Sequence, residues 1–155
     1  MKIRLANLKD AEKFRVLAKK ADNYPSYWSK SRFPNFINNP KQIIILAEDK
    51  GKLVGFVGLQ ERYLDPRVKK ISCNDLTYIA WIAVLPEARD LHIGSRLMNE
   101  CEKYTKKFNQ KGIWLTCKKN VIEFYKKNGY KVNGYFMKES DGKRFRKFFM
   151  SKRLR

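Results

Sequence analysis

Val84-Leu85-Pro86-Glu87-Ala88-Arg89-Asp90-Leu91-His92-Ile93-Gly94-Ser95-Arg96-Leu97-Met98 is the stretch on which the fold turns. Upstream of it, Leu76 to Val84 alternates with the period of a strand. Tyr78, Ala80, Ile82 and Val84 fall on one face, and Thr77, Ile79, Trp81 and Ala83 on the other. Downstream, Leu97, Met98, Cys101, Tyr104 and Phe108 recur at helical spacing in the segment Gly94 to Phe108. The junction is therefore strand, short loop, helix start. The first N–H groups of a helix have no partner within it and lie at the positive end of its dipole, which suits a pyrophosphate if the loop backbone can come close. Gly94 permits that approach, and Arg89 and Arg96 add charge nearby. The same arrangement also serves as an ordinary packed turn.

Working outward, Lys2 to Ala6 reads as a short strand. Asn7, with Asp10 three residues on, is placed to cap a helix carrying Ala11, Phe14, Leu17, Ala18 and Ala21. Tyr24 to Pro40 is punctuated by Pro25, Pro34 and Pro40 and rich in rings, which predicts a short helix or an ordered loop. Gln42 to Ala47 and Leu53 to Leu59 pair as a hairpin across Glu48 to Lys52, where Gly51 can take positive φ. Glu61 to Asn74 reads as a polar connection. Beyond the central helix come a buried strand, Gly112 to Cys117, and a short helix, Asn120 to Lys127, closed by Asn128-Gly129. A strand from Tyr130 to Met137 follows, then a Ser140-Asp141-Gly142-Lys143 turn into a last strand around Phe145 to Met150. No repeat, linker or low-complexity segment breaks the 155 residues, so one domain, 1–155, is expected.

The composition excludes some classes of protein. Hydrophobic residues make up 43 % of the chain, enough for a core, which separates it from disordered basic tails. The longest apolar runs, such as Ile43 to Ala47, fall far short of the roughly 20 residues of a membrane span, and Met1 to Arg4 lacks the apolar stretch of a secretory signal. A cytoplasmic protein is the expectation. Cys73, Cys101 and Cys117 are widely spaced and accompany a single histidine, so neither a metal site nor a disulfide framework is expected, and the thiols read as reduced and buried. Thirty-five Lys and Arg stand against 15 Asp and Glu, a net charge of +20, which attracts polyanions such as RNA or describes solvated lysine-rich faces.

A second segment, Asn120-Val121-Ile122-Glu123-Phe124-Tyr125-Lys126-Lys127-Asn128-Gly129-Tyr130, puts a polar side chain at a helix start and a phenol one turn in. With it, nearly the whole chain resembles the GNAT superfamily of acetyl-CoA-dependent N-acetyltransferases. Arg89 to Gly94 is similar to the family's acetyl-CoA loop, and Asn120 to Tyr130 to its second signature. His92 departs from the pattern, since it stands where the first loop glycine is usual and must tolerate positive φ. It reads as a solvent-facing residue of a slightly altered loop. The resemblance implies an α/β (α+β) GNAT domain. Its central sheet is mixed, mostly antiparallel and of about seven strands, with helices on both faces and a splay between strands 4 and 5.

The same resemblance implies a set of roles. Ile82, Ala83 and Val84 would contact the pantetheine arm through their backbone. Amides of Arg89, Asp90, Leu91, His92, Ile93, Gly94 and Ser95 would hold the diphosphate, and Asn120 would approach the thiol end. The reaction implied is direct attack of a primary amine on the thioester, with Tyr125 protonating the departing thiolate; a phenol with pKa near ~10 carries its proton at neutral pH. Tyr125 also reads as a core residue beside Phe124. Tyr78 occupies the position of the glutamate base of histone-type members, and a tyrosine serves there only if ionised or by relaying through water. Freeing a lysine-type amine at pH 7 costs roughly 4.6 kcal/mol, against about 1 for an α-amino group, so the acceptor would be a low-pKa amine or a water chain would carry the proton. Tyr24, Tyr27, Trp28 and Phe33 can stack on the acceptor or pack in the core. Lys143, Arg144, Arg146 and Lys147 can hold an acidic partner or form a solvated edge. Two alternatives to a small-amine acetyltransferase stay open, a basic RNA- or ribosome-associated module on this fold and acetylation of an RNA-borne amine such as an aminoacyl-tRNA. Homodimers are common in the family.

Overall fold

The computed structural model describes residues 1–68 and 71–155, so Lys69 and Lys70 of the predicted polar connection lie outside the described residues. Seven strands form one sheet, β1 (Lys2–Leu5), β2 (Gln42–Asp49), β3 (Lys52–Gln60), β4 (Leu76–Val84), β5 (Gly112–Cys117), β6 (Lys131–Ser140) and β7 (Lys143–Arg153), in the order β1-β2-β3-β4-β5-β7-β6. The helices are α1 (Ala11–Asp22), α2 (Ser26–Ile37), α3 (Ile93–Lys107) and α4 (Ile122–Lys127). Two compact units share the chain. One comprises Met1–Gln60 with Ile79–Lys103, the other Glu61–Tyr78 with Tyr104–Arg155, and β4 passes from the second to the first between Tyr78 and Ile79.

In the first unit β1, β2 and β3 run antiparallel, and β2 and β3 are joined by Lys50 (φ 51°) and Gly51 (φ 79°). Positive φ at both central residues is the two-residue turn whose twist matches the strands, as the turn residues predicted. The middle of β2, Ile44 to Ala47, is buried on both faces. On one side lies a ring cluster, with Phe14 of α1 4.7 Å from Phe33 of α2 and 4.9 Å from Phe56 of β3. On the other, Leu97 of α3 comes down over Gly55. Asn7 accepts from the Lys9 N–H and Asp10 accepts from the Asn7 N–H, a reciprocal box on a 3-10 turn, Leu8–Asp10, that leads into α1. Asp10 also takes two hydrogen bonds from the Arg4 guanidinium, at 2.9 and 2.8 Å.

Tyr24 to Pro40 is more regular than its prolines suggested. A 12-residue helix runs from Ser26 through Pro34, after Pro25 in an extended conformation. Pro34 lies in its last turn, so the helix ends soon after the missing N–H.

In the second unit β4 and β5 are parallel, β5 and β7 antiparallel, and β7 and β6 antiparallel. Asp141 (φ 52°) and Gly142 (φ 73°) make the predicted hairpin turn, and both strands extend further than their hydrophobic pattern indicated. The Glu61 to Asn74 connection is not simply polar. Val68 and Cys73 join Leu76, Trp114 and Phe149 in a buried cluster, and Asp65, itself buried, is bound by the Arg67 backbone and guanidinium. The short helix begins later than predicted, because Lys119–Val121 form a 3-10 turn before α4. All three cysteines are free and buried, as expected. Among the described residues no helix is long and apolar enough to cross a membrane.

Gly58 has room for hydrogen only, since a Cβ there would stand 2.4 Å from the Trp81 ring. Gly58→Ala therefore has to displace Trp81, and urea unfolding should show a loss of about 1–3 kcal/mol with an unchanged m-value. Arg4 holds the Asp10 carboxyl below its ordinary value of 3.8. The stability this confers is present above 3.8 and is lost as pH falls through the lowered value. Asp10→Asn should accordingly be less stable near neutrality and flatter in its stability profile below pH 3.8, measured by denaturation across acid pH.

Candidate active site

The ladder between β4 and β5 consists of three pairs, Leu76↔Gly112, Thr77↔Ile113 and Tyr78↔Trp114. β4 continues for six more residues, to Val84, with no strand paired to that edge among the described residues. Ala80 to Val84 are all half-buried, although they belong to a strand with neighbours on both sides in the sheet order. The Ala83 carbonyl is turned towards β3, 3.2 Å from where a Cβ on Gly55 would stand. Alternation along an extended strand turns the polar groups of Ala80, Ile82 and Val84 to the other edge. Of those, the Val84 C=O is bound by Arg89 Nε at 3.1 Å. Of the predicted backbone contacts, Ile82 and Val84 thus face the open edge and Ala83 faces β3. Ala80, which the sequence reading did not single out, shares the open edge by its parity with Ile82.

A 3-10 turn, Pro86–Leu91, follows β4, and His92 joins it to α3 with φ 58° and ψ 21°. The chain thus makes its left-handed step with a histidine, and the side chain is exposed, as its loop position suggested. The Arg96 N–H donates to the His92 C=O at 3.1 Å. Ile93, Gly94 and Ser95 precede that first helical bond, so their N–H groups are the open donors of the helix start. The Arg89 side chain is turned away from them. Its Nη2 donates to the Ala21 C=O at 2.9 Å, one of the last carbonyls of α1, where a cation also meets the negative end of the dipole. Arg89 therefore ties the loop to α1 and to the end of β4, while Asp90 and Leu91 are exposed on the turn.

In the second unit Tyr125 is buried on α4, with its ring 5.1 Å from Phe124 and 6.1 Å from Tyr130. Asn120 is exposed in the 3-10 turn before that helix. Tyr78 stacks on Tyr63 at 4.7 Å and lies 4.6 Å from Trp114. Burial pushes its phenol above the ordinary value of 10, against a hydrogen bond with Thr116 that lowers it, so Tyr78 keeps its proton at neutral pH. Tyr63 went unnoticed in the sequence because it sits in a segment that reads as polar. Its signal was the run Tyr63-Leu64, apolar inside that segment.

Among the rings named for an acceptor, Tyr24 stacks on Trp28 at 4.2 Å and 14°, and Trp28 meets Trp81 edge-on at 4.8 Å. Tyr27 is 77 % exposed, and Phe33 is sealed in the core. Among the described residues no three His, Cys, Asp or Glu side chains come together as a metal set.

A mixed seven-stranded sheet whose β4–β5 pairing ends at Tyr78 and Trp114, followed by a turn that opens a helix with free amides, is compatible with the acyl-CoA-handling transferases. The pattern of the Acetyltransferase (GNAT) family matches residues 12–130, and the chain belongs to that family. It is 27 % identical over 105 residues to YhfO of Bacillus subtilis (strain 168), an uncharacterized N-acetyltransferase; the match covers 65 % of this chain and 66 % of that relative's length. An aminoglycoside 6'-N-acetyltransferase crystallised with coenzyme A shares the fold, with a TM-score of 0.78 at 21 % identity over 99 % of this chain and 97 % of that one. The ribosomal-protein-S18-alanine N-acetyltransferase of Escherichia coli does so with a TM-score of 0.78 at 16 % identity, over 99 % and 93 %.

The left-handed step at position 92 gives a direct test. His92→Val places a β-branched residue at positive φ and should cost about 1–2 kcal/mol in urea unfolding, whereas His92→Gly should cost little or nothing.

Proposed function

We propose that the chain, acting as one acetyltransferase domain over its 155 residues, moves an acetyl group from acetyl-CoA to a primary amine by direct attack. The observation that carries this reading is the edge of β4, which loses its partner after Tyr78 and runs on to Val84. An unpaired edge in the middle of a sheet offers N–H and C=O groups to an extended, amide-bearing ligand as an added strand would take them. A pantetheine arm is such a ligand. Ala80, Ile82 and Val84 would bind it, and the N–H groups of Ile93, Gly94 and Ser95 would take the diphosphate at the helix start.

When bound, acetyl-CoA supplies the thioester that the amine attacks. Tyr125 would donate the proton that the departing sulfur needs, and Asn120 would orient the arm near that end. Tyr78, protonated at neutral pH, cannot act as a phenolate base; it would relay the amine's proton to solvent through water, or the acceptor would arrive already neutral. The aromatic stack of Tyr24 and Trp28 is the part of the first unit suited to a flat or cationic acceptor.

Calorimetric titration with acetyl-CoA, followed by mass spectrometry of products from pooled amines, peptides and tRNA, tests the reading. Binding to the wild-type chain and one acetylated product are expected, and no binding of acetyl-CoA overturns it. With an acceptor in hand, Tyr125→Phe should lower kcat by about 10²–10⁴ and leave the affinity for acetyl-CoA unchanged. An unaltered kcat would remove Tyr125 from the proton path.

A further inference from the structure

One face of the β6–β7 hairpin is a checkerboard of lysine and phenylalanine. Strand alternation puts Phe136 and Lys138 of β6 on the same face as Lys143, Phe145, Lys147 and Phe149 of β7. The register sets Phe136 opposite Lys147 and Lys138 opposite Phe145, so each of these rings faces an ammonium across the ladder. Glu139 is paired with Arg144 on the other face, Asp141 lies in the turn, and Asp65 holds the Arg67 guanidinium that lies over Phe136. Lys138 and Lys143 are exposed and Phe136, Phe145 and Lys147 half-buried, while Phe149 is sealed beneath. Two cations from other segments reach the same rings. The Lys118 ammonium is 5.2 Å from the centre of Phe145, and the Arg67 guanidinium carbon 4.4 Å from that of Phe136.

Lysines alone would be accounted for by the need to keep an edge strand from pairing with another chain. Phe136 packs against the cluster of Val68, Cys73, Leu76, Trp114 and Phe149, but that need does not call for the half-exposed ring of Phe145 between lysines. Flat rings and a flat guanidinium alternating with ammonium groups suit a chain that alternates flat bases with phosphates, and the rings leave an acidic peptide nothing that charge would not already provide. The net charge of +20 draws such a polyanion in from a distance. We propose that this face docks single-stranded nucleic acid, with bases on Phe145 and the Arg67–Phe136 pair and phosphates at Lys138, Lys143 and Lys147. The proposal does not rest on acetyl transfer, because none of Arg67, Phe136, Lys138, Lys143, Phe145 and Lys147 is given a part in the proposed reaction.

Fluorescence anisotropy of the full chain with 5'-labelled oligouridylate and oligothymidylate of equal length, from 50 to 300 mM KCl, tests it. Lys138→Ala/Lys143→Ala/Lys147→Ala should weaken binding at low salt at least tenfold and flatten the slope of log Kd against log salt by about 2, as expected for three lost phosphate contacts. Lys103→Ala/Lys106→Ala/Lys107→Ala on α3 removes the same charge and should change Kd less than twofold. Phe145→Ala should weaken binding about tenfold, and Phe145→Tyr, which keeps the ring and the fold, should restore it. A preference for uridylate assigns RNA as the partner; equal binding of both oligomers supports the shared single-stranded chemistry. Equal losses in the two lysine triples overturn the proposal in favour of diffuse charge. Polyglutamate that displaces the oligonucleotide, together with an inert Phe145→Ala, overturns it in favour of an acidic polypeptide.

Discussion

The early end of the β4–β5 ladder is the constraint on which the rest depends. The two strands meet closely at their start, where a Cβ on Gly112 would lie 3.0 Å from Leu76 and 2.4 Å from the Lys152 carbonyl, so only glycine lets three strands converge there. At its third pair the ladder stops, at Tyr78 and Trp114, two large rings side by side. From that point β4 has polar backbone on one edge that water or a ligand must satisfy, since a buried amide without a partner costs on the order of 1–3 kcal/mol. A sheet built only for stability would continue this pairing. Here the pairing ends at Tyr78, and the loop that follows is held by Arg89 and by the Leu85 N–H on the Val54 carbonyl of β3.

That fixation shows how local and distant causes divide the legibility of the chain. Both hairpin turns were readable because Lys50-Gly51 and Asp141-Gly142 solve a problem confined to two residues. The central helix was readable because its apolar spacing repeats over four turns. Arg89 was not, because its carbonyl partner on Ala21 lies 68 residues away and nothing near Arg89 announces it. The same applies to the connection after β3. Asp65 and Arg67 look like surface charges in sequence, yet they pair with each other and bring Val68 and Cys73 into a core. For α2, three prolines in seventeen residues masked a helix whose burial of Phe33 and Phe36 outweighs one lost hydrogen bond.

The candidate site divides the same way. Residue types at the loop and at Tyr125 were legible through their order, whereas the edge each backbone group faces was not. Ala80, Ile82 and Val84 differ from Ala83 only in parity, which depends on the neighbour to which the strand is anchored. His92 was legible as an irregularity, and its positive φ shows what the irregularity does, since the turn keeps its glycine-like geometry while carrying a side chain.

The three cysteines carry a last consequence. Each is buried, and burial pushes the Cys73 and Cys117 thiols up to about 11 and Cys101 higher still. A thioester exchanges readily with a thiolate, and this chain presents none to solvent. A reactive acyl carrier can therefore dwell against the polypeptide without handing its cargo to a bystander sulfur, and thiol-directed reagents find no target on the protein's exterior.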